Sequence, residues 1–381
     1  MSSPETKTSI HIDFLDHLRG IAVLMVFLYH AFGQAFKMSQ LPWEGWFHCF
    51  QVPSVVIAFF PVMVGWCGVA VFFALSGFCI HLSYERSRNK SLRDFYVRRI
   101  FRIYPPYLLC LVIFSFIYPW RAIDFHSLVN TQNFFTHLFL VYNFDFKFFY
   151  GINVAFWSIA VEFQLYLIYP ILLWLVRRVN WLGALTILGI IEIGLRFTEG
   201  YLSTVYNTDL PYFIIGAPIY FWFSWSVGAR LANAYVKGEP LPFLRLPVRF
   251  WVVLTLLAML VHPLFPLAFT FMAIATVTFM ARQFMRPRSL ILPGLQHLRF
   301  AGLISYSIYL LHFPILDVTM RGIAKFVPAL IGHPILLFTI FMVEWVPILG
   351  LSYLFYRWIE KPSIDCGKWF LKKYPSAPGI A

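Results

Sequence analysis

Apolar runs long enough to cross a lipid bilayer recur from one end of this 381-residue chain to the other. That feature leaves few architectures open. Hydrocarbon offers no water to a backbone N–H or C=O, so each run must satisfy its own hydrogen bonds, which a helix does. About 20 residues rising ~1.5 Å each are enough to span a core ~30 Å thick. Spans are expected near 17–36, 57–82, 98–118, 155–176, 181–197, 211–233, 247–263, 266–281, 300–319 and 333–356. A run at 134–143 carries His137 and is too short to cross. The expected fold class is an all-α integral membrane protein. It is read as one domain over 1–381, a polytopic bundle of about ten transmembrane helices.

Composition agrees. Hydrophobic residues make up 60% of the chain and charged residues 12%, against ~25% charged in soluble domains. The net charge of +13 does not indicate nucleic acid, because the basic residues occupy short loops rather than one continuous face. Five scattered cysteines without a CxxC pair indicate neither a zinc site nor a disulfide framework, and no metal is expected. Met1 to Ile10 is polar and no small-residue cleavage site follows the first run, so that run is read as a retained span.

Basic residues accumulate on the cytoplasmic side. With ten spans and both termini cytoplasmic, the outer side keeps only Lys37, Arg121, Lys147, Arg196, Arg321 and Lys325 of the 30 Lys and Arg. An eleventh span would move several dense basic groups outward. The expected location is the cell (inner or plasma) membrane. The outer segments 37–53 and 119–154 are rich in aromatics, among them Trp43, Trp46 and Trp120, and read as interfacial pieces folded against the bundle.

Ionisable groups inside spans are costly and mark pairing or function. In LDHLRGIAVLMVFLYH, Arg19 opens the first span and His30 follows eleven residues later, ~16 Å deeper. Glu162 in FWSIAVEFQLYLIYP and His312 in SYSIYLLHFP come out at a similar depth. Two histidines and a carboxylate at one level are the parts of an acid–base site, and a single chamber holding all three is expected. Each alone is equally well read as an interhelical hydrogen bond. Arg98, Arg99 and Arg102 in FYVRRIFRIYPPY stand at the inner mouth of the third span, where guanidinium groups suit phosphate. Ser76 and Gly77 read first as close helix packing, and Glu192 with Arg196 as an i, i+4 ion pair.

These stretches, with VFFALSGFCI and a closing Glu360-Lys361-Pro362, resemble in order the acyltransferase-three family of integral membrane acyltransferases over about 13–362. Arg19 and His30 match its first-span motif. Arg99 and Arg102 match its paired arginines, and Trp157, Ser158 and Glu162 its Trp-Ser-x-x-x-Glu motif. Ser305, Tyr306, Tyr309 and His312 match a late signature. The chain departs from the family at His17, Ala70 and Phe163, the last replacing the second acid of a common pair. The resemblance implies transfer of an acyl group, usually acetyl from acetyl-CoA, to a hydroxyl of a cell-surface or secreted glycan. Acyl-CoA would be a cosubstrate rather than a bound cofactor, and the other partners would be a carbohydrate or lipid-linked glycan and the bilayer. In that frame Arg19, Arg99, Arg102 and Arg98 serve the cosubstrate, His30, Glu162 and His312 the chemistry, and Trp157, Ser158 and Tyr309 the substrate. The main rival is a proton-coupled transporter of a glycolipid or solute, which midplane His and Glu residues also suit. A non-catalytic scaffold is a second.

Overall fold

The computed structural model describes residues 4–36, 60–87, 89–117, 123–285 and 296–376. The outer segment 37–53 with Trp43 and Trp46, and Trp120 of the second segment, lie outside the described residues. Among the described residues all regular structure is helical. The main helices are α1 (Pro4–Ala35), α2 (Gly68–Glu85), α3 (Leu92–Val112), α4 (Leu128–Leu138), α5 (Trp157–Leu167), α6 (Tyr169–Tyr206) and α7 (Trp222–Lys237). They are followed by α8 (Val248–Leu260), α9 (Leu267–Met285), α10 (Gln296–Leu303), α11 (Ser305–Phe326), α12 (Pro334–Phe355) and α13 (Lys361–Lys373).

Among the described residues six stretches are long and apolar enough to cross a membrane: Phe14–Ala35, Val64–Glu85, Leu92–Ile117, Tyr169–Tyr206, Leu267–Met285 and Pro334–Lys373. A seventh is reached if α10 and α11, bent by 91° at their junction, count as one span. The ten-span expectation differs for local reasons. Segment 155–176 is not one helix: it divides at Ile168, just before Pro170, whose ring cannot donate to the turn behind it and restricts the residue before it. The boundary expected between the fourth and fifth spans falls at Asn180, which has φ 56° and leaves the helical region. Its side-chain oxygen accepts from Leu182 N and Gly183 N at 2.9 and 3.1 Å, recapping the helix beyond the break. Segments 211–233 and 247–263 condense to the 16-residue α7 and the 13-residue α8. The run at 134–143 ends as α4 and a turn.

The bundle is organised around α1, whose buried side chains enter three apolar clusters, with Val26 in the first, Phe27 in the second and Phe32 in the third. Small residues let backbones touch. A Cβ on Gly77 of α2 would lie 1.9 Å from Trp225 O of α7, and one on Gly228 of α7 would lie 2.0 Å from Ala74 O of α2. Gly20 of α1 and Gly302 of α10 make the same reciprocal approach. Without a hydrophobic driving force between helices in lipid, such close packing supplies much of the association.

The Glu192–Arg196 pair, expected as a simple i, i+4 contact, is a buried joint between three helices. Arg196 Nε lies 3.2 Å from Glu192 Oε1, and its terminal nitrogens donate to Pro266 O at 3.0 Å and Tyr220 O at 2.9 Å. Glu192 also accepts from Ser224 N and Thr270 Oγ1, both at 2.9 Å, and from Ser224 Oγ. Asp317 pairs with Arg321 at 3.0 Å, and Glu360 accepts from Ser307 Oγ at 2.6 Å.

The glycine contacts yield a paired prediction. Gly77→Ala forces α2 and α7 apart and destabilises the protein by about 1–3 kcal/mol, as overpacking does. Gly194→Ala on α6, with nothing within 4 Å of the new methyl, leaves thermal unfolding in detergent unchanged or raises it. Equal melting curves for Gly77→Ala and wild type would contradict the packing described.

Candidate active site

Two cavities meet inside the bundle. The smaller, about 110 Å³, is lined by Arg19 of α1, Ser76 and Cys79 of α2, Arg99 and Arg102 of α3, Ser158, Glu162 and Tyr166 of α5, and Tyr306 and Tyr309 of α11. The larger, about 540 Å³, is lined by Val26, Tyr29 and His30 of α1, Trp157 of α5, Arg196 and Glu199 of α6, Tyr309, and residues of the connecting segments. Following α1 from Arg19 to His30 therefore passes from one cavity into the other. Only Val69 and Tyr309 line both.

The smaller cavity is cationic. Arg19 donates to Asp16 Oδ1 at 2.6 Å and lies 3.0 Å from Cys79 Sγ. Arg99 and Arg102 are three residues apart on α3 and face the same space. Arg99 Nε is buried without a hydrogen-bond partner, a guanidinium that anionic oxygens would satisfy. Arg98 is not among the lining residues. Helix α3 can deliver this cluster because Ser91 caps its start, accepting from Asp94 N, and because Pro105 and Pro106 fall beyond the arginines.

Glu162 is held from its own helix. Tyr166 OH, one turn on, donates to Glu162 Oε1 at 2.5 Å. Tyr166 OH lies 3.1 Å from Ser76 Oγ, which in turn accepts from Trp225 Nε1 at 3.3 Å. Ser76, read from sequence as a packing residue, thus belongs to a polar chain ending on the carboxylate, while the adjacent Gly77 does the packing. The i, i+4 spacing of Glu162 and Tyr166 is the sequence signal that identifies this pair.

His30 pairs with the other histidine rather than with Glu162. Its Nδ1 lies 2.9 Å from His312 Nε2, and the rings stack at 5.1 Å. His312 is fully buried, and its Nδ1 lies 3.0 Å from both Ile308 O and Tyr309 O. Those carbonyls only accept, so in a neutral His312 ring Nδ1 carries the hydrogen and Nε2 accepts. His30 Nδ1 then donates, and His30 Nε2 holds the lone pair on the ring that lines the larger cavity. This tautomer assignment follows from the hydrogen-bond network. A backbone carbonyl does here, through a second imidazole, what a carboxylate does for a catalytic histidine.

The single chamber expected for His30, Glu162 and His312 is therefore corrected. His30 and His312 form one unit against the larger cavity. Glu162 faces the smaller one, because Tyr166 and the arginine-lined space draw it to that side. Depth along a helix locates a residue's height and leaves its direction open. Tyr309 stands between: its hydroxyl is 2.5 Å from Ser158 Oγ, its carbonyl holds His312, and its ring packs edge-on against Phe72. Trp157 and Ser158, adjacent on α5, line the larger and the smaller cavity respectively.

The chain is 28% identical over 324 residues to Nodulation protein 10 of Rhizobium leguminosarum bv. viciae, covering 78% of this chain and 82% of that one. It is 36% identical over 116 residues to an uncharacterized protein of Haemophilus influenzae, covering 27% of this chain and 47% of that protein. The chain thus spans about half the length of that shorter-range match. No solved structure matches. Residues 12–357 match the family model described as an acyltransferase domain, nearly the whole chain. The chain belongs to the acyltransferase-three family.

Proposed function

We propose that this membrane acyltransferase moves an acyl group, read as acetyl, from acyl-CoA to a hydroxyl of a cell-surface or secreted glycan. The observation that carries the reading is the His30–His312 unit, which leaves a basic imidazole nitrogen on a cavity wall beside a second, arginine-lined cavity. The arginines supply the charge a coenzyme A polyanion requires, and positive-inside bias supports placing them at the cytoplasmic mouth. The larger cavity then takes the acceptor from the opposite side.

In this mechanism Arg19, Arg99 and Arg102 hold the coenzyme A phosphates and the thioester reaches Tyr309. His30 Nε2 takes the proton of the acceptor hydroxyl as its oxygen attacks the thioester carbonyl. His312 Nε2 stabilises the resulting imidazolium by accepting from His30 Nδ1. The Tyr309–Ser158 hydroxyl pair lies at the cavity junction, where it can donate to the developing oxyanion. Collapse breaks the carbon–sulfur bond, forms the ester, and returns the proton to the departing sulfur. Glu162, fixed by Tyr166, faces the donor side and orients the pantetheine arm. Trp157 lines the acceptor side.

Three outcomes are expected in purified proteoliposomes supplied with labelled acetyl-CoA and membrane glycan. His30→Gln inserts and unfolds like wild type yet transfers 10²–10⁴-fold more slowly; wild-type turnover by that variant would sink the assignment, and movement of unmodified solute without transfer would favour transport. His312→Ala lowers kcat by about 10–100-fold with an unchanged KM for acetyl-CoA, since it removes only the group that orients the base; a loss confined to KM would contradict that role. Arg99→Gln and Arg102→Gln each raise the KM for acetyl-CoA by about tenfold, the worth of one charge-assisted hydrogen bond, and unaltered KM values in both would remove the arginines from the donor site.

A further inference from the structure

The helical stretch Pro334–Lys373, α12 continued by α13, is 40 residues long. It rises ~60 Å, against a hydrocarbon core ~30 Å thick and ~40–45 Å with both headgroup layers. One end must therefore pass through a headgroup layer, and the exposed side chains say which. Along α12 they are mostly aliphatic, Val343, Val346, Leu351 and Leu354 among them. From Arg357 onward they change: Trp358 is 67% exposed and Trp369 55%, and Arg357, Lys361, Lys368, Lys372 and Lys373 are exposed as well. Indole rings and long-stemmed ammonium groups belong at the boundary between hydrocarbon and water.

Helix α13 has two faces. The inner one is committed to α3. Gly367 is buried, and a Cβ there would lie 2.8 Å from Phe101 Cβ. Ser363 Oγ donates to Phe101 O and Ser376 Oγ to Asp94 Oδ1, while Arg93 Nη1 donates to Tyr374 O at 2.8 Å. On the outer face Lys361, Asp365, Lys368 and Lys372 recur at intervals of four, three and four, which sets them in one row. Lys373 Nζ stands 4.9 Å from the centre of the Trp369 ring beside that row. Asp365 is the only exposed acid in 357–373 and already pairs with Lys368 at 2.8 Å. The other acid, Glu360, is buried against Ser307. Five exposed cations thus share one exposed carboxylate, and none of them lines either cavity.

We propose that the outer face of α13 binds the anionic phospholipid headgroups of the leaflet that this end of the stretch crosses. The lysines supply the charge, phosphodiester oxygens accept from their ammonium groups, and Trp358 and Trp369 seat the helix at headgroup level. A zwitterionic headgroup carries its own cation beside the phosphate and gains less from the same row. Because α13 is fastened to α3, lipid that holds α13 also steadies the start of the helix from which Arg99 and Arg102 enter the smaller cavity. This lipid contact is independent of the acyl-transfer reading.

The test uses the full chain in a nonionic detergent, titrated separately with phosphatidylglycerol, phosphatidylcholine, inorganic phosphate and poly-glutamate while thermal unfolding is followed. Phosphatidylglycerol is expected to raise the melting temperature by at least about 3 °C, as a ligand of the folded state does, and to do so less as salt rises from ~50 to ~500 mM. Phosphatidylcholine is expected to give a clearly smaller shift. The triple variant Lys368→Gln, Lys372→Gln, Lys373→Gln changes only exposed side chains, so without lipid it melts like wild type, and with phosphatidylglycerol it loses most of the shift. Arginine at the same three positions keeps it. Phosphatidylglycerol retained in native mass spectra, fewer molecules per chain in the glutamine variant than in wild type, gives a second reading that does not depend on melting. Equal shifts from the two lipids, or equal shifts and equal retention in wild type and the glutamine variant, would overturn the proposal. So would inorganic phosphate or poly-glutamate reproducing the full effect, since the face would then serve a free anion or an acidic protein.

Discussion

The hydrogen bond between His30 and His312 depends on two backbone carbonyls, and the proposed chemistry of the site depends on that bond. A neutral imidazole in a dry bundle has two tautomers, and only one leaves the lone pair on the nitrogen not already bound to a neighbour. His312 removes the choice because the carbonyls of Ile308 and Tyr309 occupy its Nδ1. No ionised partner has to be buried for this. A carboxylate in the same position would stabilise the imidazolium more strongly, but it would first have to be desolvated within the membrane, a penalty the neutral pair does not incur. Among the described residues the one fully enclosed ion pair, Glu192 with Arg196, has five further hydrogen bonds around it and serves as wall rather than reagent.

That division explains why the same helices yield two cavities of opposite character. The α3 arginines and Arg19 leave guanidinium groups facing the smaller space, whereas Arg196 is closed off by its partners. Charge is thus available where a polyanion would enter and withdrawn where an alcohol would. The close approach of α2 to α7 through Gly77 and Gly228 brings Trp225 within reach of Ser76, and so ties the packing of the bundle to the position of Glu162.

Much of this was legible in the residues. Apolar run length identified a helical membrane protein, and the eleven-residue interval placed Arg19 and His30 at two levels of one helix. The common depth of His30 and His312 anticipated a contact that the structure makes at 2.9 Å. Glu162 lay at the same depth yet on another side, because rise per residue reports height while azimuth depends on which faces pack. The division of segment 155–176 had a local signal in Pro170, which the hydropathy of the run outweighed. The re-entry of the chain at Asn180 had none as clear, since an asparagine between apolar runs reads equally as a loop. The wall formed by Tyr309 was not legible at all. It arises from one side chain of α11 meeting Ser158 of α5, 151 residues away.

A wall at that point has a chemical consequence. A thioester exposed to an open, wet chamber is lost to hydrolysis, and in the proposed mechanism a general base at His30 would activate water as readily as an alcohol. If the smaller cavity takes the donor, as proposed, its place beyond Tyr309 keeps the thioester away from His30 until the two meet at the junction. The Tyr309–Ser158 hydroxyl pair stands where the two sides meet. In the proposed mechanism its place is the cavity junction, where it donates to the carbonyl oxygen when the thioester is presented there. Discrimination between water and sugar thereby comes from where the reactants can stand rather than from the strength of the base.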